Sequence, residues 1–381
     1  MTTGSAARKE PWPLSIAVLV KKYTTSGGAE RYAVEVTRRL ADRGHHVQVF
    51  TRESDEPDRQ RIVIHKVKKR YAFSGAASLY GFARDTAEMV SRHGPFDVVH
   101  SHDRTIAQDI ATLHTFTHRS GIADGGPLKR YGNLLSPRNQ LHLWLEKKQM
   151  ASPVLAGVSP LVAENAAACY PGRTDIHVMP PGVDCDMFHP DQLRPLRDAA
   201  RKKWRIAGNA FVVLFVGTEF RRKGLDILIA GLPADVHLVV AGKGDGKKET
   251  QLALHAKAPA IKSTFAGLAS DIRPFYAMAD LLVLPSRREA FGMVVLEAMA
   301  AGLPVVCSSA AGAASLIDHR KNGFAFTTLE ELRQILLKCR EQGLPPEIAA
   351  AGRKTAMAHS WEKTAAGYET LYYEIRNGKN S

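Results

Sequence analysis

The sequence predicts an α/β protein made of two doubly wound domains, each with a parallel sheet. Three observations carry that expectation. Continuous apolar runs of strand length alternate with helical stretches, as in a parallel sheet covered on both faces. The alternation halts at the Pro/Gly-rich stretch Met179-Pro-Pro-Gly-Val-Asp184 and then restarts. The 381 residues also exceed what one compact core usually holds.

In order along the chain, Leu14 to Val20 is an apolar run of strand length. A Gly27-Gly28 loop follows, then an amphipathic helix over Ala29 to Arg43 that Gly44 stops. His46 to Thr51, Ile62 to Val67 and Asp97 to Ser101 read as further strands, and Thr105 to Ala111 as helical. After the Pro/Gly stretch, strands are expected at Phe211 to Gly217, Val236 to Ala241, Ser263 to Ala266, Leu281 to Pro285 and Pro304 to Cys307. Helices fit between them, at Gly224 to Ala230 and Phe291 to Ala301. The expected division is 1–178, 179–358 and a C-terminal helix, 359–381, long enough to reach back across a cleft. The hinge falls near residues 175–188.

Composition excludes several classes. Apolar residues are 45% and charged residues 24%, ordinary for a folded chain and unlike a disordered one. No apolar run approaches the roughly 20 residues that cross a bilayer. Residues 1–13 lack a signal peptide's apolar stretch, so a cytoplasmic location is expected. The four cysteines (Cys169, Cys185, Cys307, Cys339) have no CxxC spacing and read as reduced, packed thiols. A formal net charge of +14 favours anionic partners.

Several motifs can carry chemistry. Ser26-Gly-Gly-Ala-Glu-Arg31 leads from the first strand into the first helix, where backbone amides can approach an anion; a tight turn is an equally good reading. It is not GxGxxG, which counts against a nicotinamide enzyme. Val216-Gly-Thr-Glu-Phe-Arg-Arg-Lys223-Gly224 occupies the same place in the second half. Arg221, Arg222 and Lys223 there could neutralise a diphosphate. Glu289-Ala-Phe-Gly-Met-Val-Val-Leu-Glu297 is the sharpest signal. One acid precedes a helix and can accept from sugar hydroxyls, and the other lies two turns inside it and can hold a ribose. Amides at Phe291 to Met293 could bind phosphate. Against this stands a capping glutamate plus a surface glutamate.

His100, His102, His114 and His118 invite a metal reading, but no acids or cysteines join them, so polar strand-end side chains are the simpler assignment. His114 is the best of them for touching substrate. Val240 to Gly246 is a glycine loop with little specificity. Residues 117–148 interleave Arg119, Lys129, Arg130, Arg138, Lys147 and Lys148 with Leu, Tyr131 and Trp144. That mixture suits an anionic membrane surface, a nucleic acid or a solvated helix face.

These residues together resemble glycosyltransferase family 4, over nearly the whole chain. The resemblance rests on Gly27-Gly-Ala-Glu-Arg31, Asp97-Val-Val-His-Ser-His102, Pro180-Pro-Gly-Val-Asp184, Arg222-Lys-Gly-Leu-Asp226, Ala279-Asp-Leu-Leu-Val-Leu-Pro-Ser286 and the EX7E stretch Glu289 to Glu297. The Val216 to Asp226 segment and the hinge resemble most the lipopolysaccharide core glucosyltransferase I branch. The resemblance implies the GT-B fold, with two Rossmann-like domains facing a central cleft. It also implies roles. Glu289, Lys223 and His114 would be catalytic. Gly27, Gly28, Gly217, Thr218, Arg222, Lys223, Glu289, Phe291, Gly292, Met293, Val294 and Glu297 would bind the donor. The arginine that many members carry after the strand-end glycine is replaced here by Thr218, so that either Arg222 compensates or Lys223 carries most of the charge.

The implied reaction moves a hexose from a nucleoside diphosphate sugar, UDP-linked by resemblance, to a hydroxyl of a glycan or glycolipid acceptor, with retention of configuration. No second carboxylate is placed for double displacement. The leaving diphosphate would take the acceptor's proton, and closure about the hinge would exclude water. No metal and no cofactor are expected, because cations stand where a DxD pair would hold an ion. Peripheral docking on the inner face of the cytoplasmic membrane is expected through 117–148. Two other readings remain: a GT-B sugar-nucleotide 2-epimerase, and a basic nucleic-acid-binding protein, for which no binding motif is found.

Overall fold

The computed structural model describes residues 12–69, 74–123, 127–244 and 261–379, with only the backbone described at 123 and 127–130. The chain divides into two compact units. One comprises Met1–Thr112, His118–Leu155 and Ala365–Ser381; the other comprises Leu113–Thr117 and Ala156–Thr364.

The N-terminal strands are β1 (Ser15–Leu19), β2 (Lys22–Tyr23), β3 (His46–Thr51), β4 (Glu53–Ser54), β5 (Ile62–Lys66), β6 (Val98–Ser101), β7 (Ile110–Leu113), β8 (Val154–Gly157) and β9 (Ile176–Val178). Seven form one sheet in the order β5-β3-β1-β6-β7-β8-β9, and β2 pairs with β4. The pairings of β1 with β3 and β6 are parallel, as the continuous apolar runs require. Helices α1 (Gly28–Asp42), α2 (Gly75–His93), α3 (His118–Ala123), α4 (Pro127–Leu135) and α5 (Pro137–Met150) follow in chain order. Ala17, Leu19 and Phe50 pack with Phe82 of α2 in the core.

The strands of the second half are β10 (Phe211–Val216), β11 (Val236–Ala241), β12 (Lys262–Gly267), β13 (Leu281–Leu284), β14 (Val305–Ser308) and β15 (Phe324–Phe326). Their order is β12-β11-β10-β13-β14-β15, with parallel pairing throughout. The chain fills the sheet outward from β10 on one side and from β13 on the other. The β10/β13 junction is therefore a topological switch point, the place where open α/β sheets bind ligands. Val213, Phe215, Leu238, Leu281 and Val283 form a core with Leu225, Leu228, Leu332 and Leu336 from covering helices.

One expectation needs correction. The stretch Thr105 to Ala111 is not helical: Ile110–Leu113 is the buried strand β7, paired with β6 through His100↔Ile110 and Ser101↔Ala111. Four residues are too few for periodicity to separate a buried strand from a helix turn, and burial on both faces erases alternation. Residues 156–178 carry β9, the edge strand of the seven-stranded sheet, and group by their contacts with the second unit. There the Ser159 hydroxyl, which caps the helix Pro160–Cys169, donates to the Ala290 carbonyl at 2.6 Å.

The C-terminal helix runs Trp361–Lys379, its first four residues in the second unit and the rest in the first. It brings Tyr368 and Tyr372 into a buried polar network. The Tyr32 hydroxyl donates to the Tyr368 hydroxyl at 3.0 Å, the Tyr368 and Thr112 hydroxyls lie 2.7 Å apart, and His100 Nδ1 is 2.5 Å from the Tyr372 hydroxyl. Burial pushes the Tyr368 phenol up to about 12.

Candidate functional site

The site is built on the C-terminal ends of β10 and β13, which are neighbours through Val213↔Leu281 and Leu214↔Leu282. Their two following loops, 217–224 and 285–292, therefore run side by side. Close approach is possible because Gly224 adopts φ +75°, and a Cβ there would sit 2.0 Å from the Pro285 carbonyl oxygen. Gly292, at φ +97°, begins the helix Met293–Ala300 in the same left-handed region, and a Cβ there would meet Leu284 at 2.5 Å. At Gly224 the backbone contact and the positive φ each disfavour an L side chain; at Gly292 the positive φ does so, and the end of the Leu284 side chain would have to shift.

The loops converge on one carboxylate. Lys223 Nζ lies 2.7 Å from Glu289 Oε2, and Arg222 Nη1 lies 3.0 Å from the same oxygen. The Lys223 and Glu289 side chains are only 12% and 13% exposed, whereas Arg222 is 42% exposed, so the lysine pair is the less screened of the two. Partial burial opposes the Arg222 charge, but Glu219 and Glu289 more than offset it and hold the guanidinium pKa above its usual range.

Arg287 braces the two loops. Its amide donates to the Arg222 carbonyl at 3.0 Å, and its Nη1 donates to the Arg221 carbonyl at 2.7 Å. Its guanidinium also grips both carboxylate oxygens of Asp226 at 2.7 Å. That grip holds the Asp226 carboxyl below the ordinary range. In return, Arg222 Nη1 donates to the Arg288 carbonyl at 3.2 Å.

The structure thus brings Glu289, Lys223 and Arg222 together. Gly217 lies under the methylene stem of Lys223, and Thr218 is exposed on the turn. Phe291 is buried and its carbonyl accepts from the Ala313 amide at 2.8 Å, so its side chain is a core plug. Met293 and Val294 form the half-buried first turn of the following helix, and no described side chain caps it. Glu297 stands apart from the ion cluster: it is 6% exposed and accepts from the Tyr276 hydroxyl at 2.7 Å.

His114 directly follows β7, and desolvation pushes its imidazole down to about 3, which makes it neutral near pH 7. Its segment is tied to the second unit. Thr117 donates through its amide and hydroxyl to Asn165 Oδ1, at 2.9 and 3.0 Å. The Arg288 guanidinium lies 4.3 Å over the Phe116 ring. Gly27 and Gly28 belong to the first unit, at the N-terminus of α1, where the Glu30 carboxylate folds over Gly27.

Sequence reasoning missed Glu219, Asp226, Arg287 and Tyr276 as parts of the site. The pairing of Arg287 with Asp226 spans 61 residues and leaves no local signal. Among the other motifs, His100 is consumed by Tyr372 and Thr112, and no three described His, Cys, Asp or Glu side chains group as metal ligands. Cys307 and Cys339 are buried thiols. Asp245 and Gly246 of the glycine loop fall outside the described residues. On α3 to α5, Arg119, Arg138, Lys147 and Lys148 are exposed beside exposed Tyr131, Leu135 and Trp144; the side chains of Lys129 and Arg130 are outside the description. No described helix is long and apolar enough to cross a membrane.

Residues 26–187 match the family model "Glycosyltransferase Family 4", and residues 197–339 match "Glycosyl transferases group 1". The D-inositol 3-phosphate glycosyltransferase of Geodermatophilus obscurus is 31% identical over 91% of this chain and 84% of its own. The lipopolysaccharide glucosyltransferase WaaG of Escherichia coli is 27% identical over 86% of this chain and 90% of its own. A crystal structure of WaaG superposes with a TM-score of 0.78 at 24% identity, over 94% of this chain and 99% of that one. Anabaena Alr3699/HepE, solved in complex with UDP-glucose, superposes with a TM-score of 0.69 at 20% identity, over 94% and 99%.

Proposed function

Because the chain belongs to the family 4 glycosyltransferases and has their GT-B fold, we propose that it transfers a hexose from a UDP-sugar to a hydroxyl of a glycan or glycolipid. Configuration is retained, and neither metal nor cofactor is required. The carrying observation is the shared Glu289 oxygen, held by Lys223 and Arg222 at the switch point of the second sheet. Two cations fixed beside a carboxylate suit a donor whose diphosphate gains charge as the glycosidic bond breaks. Glu289 would orient sugar hydroxyls, Glu297 the ribose, and the first-turn amides at Met293 and Val294 would face phosphate. His114, neutral at pH 7, can donate or accept a hydrogen bond near the sugar without adding charge. The leaving phosphate would take the acceptor's proton, so the protein's contribution is orientation and charge stabilisation.

The UDP preference draws support from the structural neighbour solved with UDP-glucose, and the acceptor class from the names of the relatives. Peripheral attachment to an anionic membrane draws support from the exposed cations and aromatics of α3 to α5. The test is a nucleotide-sugar screen by thermal shift, followed by transfer assays on lipopolysaccharide core and D-inositol 3-phosphate acceptors with and without EDTA. NMR of the product reports the anomer. An inverted product, loss of activity in EDTA, or acceptor-free release of an epimerised nucleotide sugar overturns the corresponding part of the proposal. For the membrane, Arg138→Ser with Lys147→Ser and Lys148→Ser should weaken binding to anionic vesicles; unchanged binding refutes it.

A further inference from the structure

Glu219 is the one acid within the basic turn, and its position is unusual twice over. Its backbone lies at φ +57°, a left-handed conformation that costs a non-glycine residue free energy. Its carboxylate is placed against Arg222, with Oε2 2.9 Å from Nε and 2.7 Å from Nη2. Arg222 Nη1 is meanwhile taken by the Arg288 carbonyl and Glu289 Oε2. Every nitrogen of the guanidinium therefore has a partner within the protein. The edge formed by Nε and Nη2, the fork that suits a phosphate bidentately, is the one Glu219 covers.

We propose that Glu219 is an internal counter-anion that occupies the phosphate-binding edge of Arg222 and is displaced when the donor diphosphate arrives. The inference rests on the donor reading above and adds an affinity threshold to it. Two anions cannot share one fork, so any ligand must expel Glu219 before Arg222 can engage its phosphate. A complete nucleotide sugar can offset that expulsion through contacts made by its base, ribose and hexose. Inorganic phosphate and pyrophosphate have no such contacts and are held off. Glu219 thus lowers the affinity of every phosphate ligand by one common factor, so small anions, which bind through their phosphates alone, fall to low occupancy in a strongly cationic turn.

The experiment measures binding of UDP and of inorganic pyrophosphate by calorimetry to the whole protein and to Glu219→Gln, Arg222→Met and the double variant. Glu219→Gln should tighten pyrophosphate and UDP binding by a similar factor, up to roughly fivefold, the scale of one exposed ion pair. In the Arg222→Met background the same change should have less than a twofold effect. Glu219→Gly, which also relieves the left-handed backbone, should tighten pyrophosphate at least as much. Unchanged or weaker pyrophosphate binding in both Glu219 variants overturns the inference, as does an equal gain with and without Arg222, which would be a mere net-charge effect. A pyrophosphate gain that depends on Arg222, in a protein that transfers no sugar from any nucleotide donor, supports the counter-anion role and overturns the donor reading alone.

Discussion

Replacing Lys223 by methionine isolates one charge at the centre of the site. The methionine keeps most of the stem that packs on Gly217 and removes only the ammonium 2.7 Å from Glu289. Glu289 keeps Arg222 as a partner at 3.0 Å, so the fold should survive. A hydrogen bond to a charged group contributes about 1.5–3 kcal/mol, and each 1.4 kcal/mol is about tenfold in affinity. At 12% exposure the ammonium is little screened, so UDP should bind about 10- to 150-fold more weakly. Uridine, which has no phosphate, should bind as before. Arg222→Met, at 42% exposure, should cost only about 0.2–1 kcal/mol. Calorimetric titration of each variant with UDP and uridine measures all four effects. An unchanged UDP affinity in Lys223→Met, or equal losses for UDP and uridine, would refute a diphosphate contact at this residue.

Three further outcomes are expected. Glu289→Gln keeps an acceptor for Lys223 but loses the charge that orients the sugar, so turnover should fall by about 10²–10³ while UDP affinity changes little; retained turnover in a steady-state assay removes Glu289 from the chemistry. Gly182→Ala places a Cβ 2.2 Å from the Trp361 amide nitrogen and 2.5 Å from the Ser360 carbonyl carbon. Backbone cannot step aside as a side chain can, so a destabilisation of about 3 kcal/mol should lower the melting midpoint by about 5–10 °C, and an unchanged melt contradicts the packing.

The His114 pKa gives a pH prediction. It is depressed in the folded state to about 3, against about 6.5 unfolded. The unfolded chain therefore binds the extra proton, and this contribution to stability is present above pH 6.5 and declines as pH falls toward 3. His114→Asn should lose less of its melting midpoint than the wild type between pH 7 and 5, and the His114 ring protons should not titrate by NMR over pH 5–8. A midpoint near 6.5 would sink the assignment.

Much of the fold was legible because its signals are local. Buried parallel strands such as Val236–Ala241 write themselves as unbroken apolar runs, and Gly44, with φ +103°, ends its helix where the residue type announces it. The residue types of the site were legible for the same reason, since loops at the ends of β10 and β13 carry Lys223 and Glu289 at recognisable spacings. Side-chain convergence was not legible. That Lys223 and Arg222 share a single oxygen of Glu289, that Arg287 braces Asp226, and that Glu297 answers to Tyr276 all depend on contacts between segments 21 to 67 residues apart. Hydrophobic pattern sets which face of each element is buried, but strand order sets which loops become neighbours, and that order comes from the packing of the whole sheet. The strand Ile110–Leu113 shows the boundary between the two: its four residues carry no period of their own, and only pairing with β6 and β8 makes them a strand.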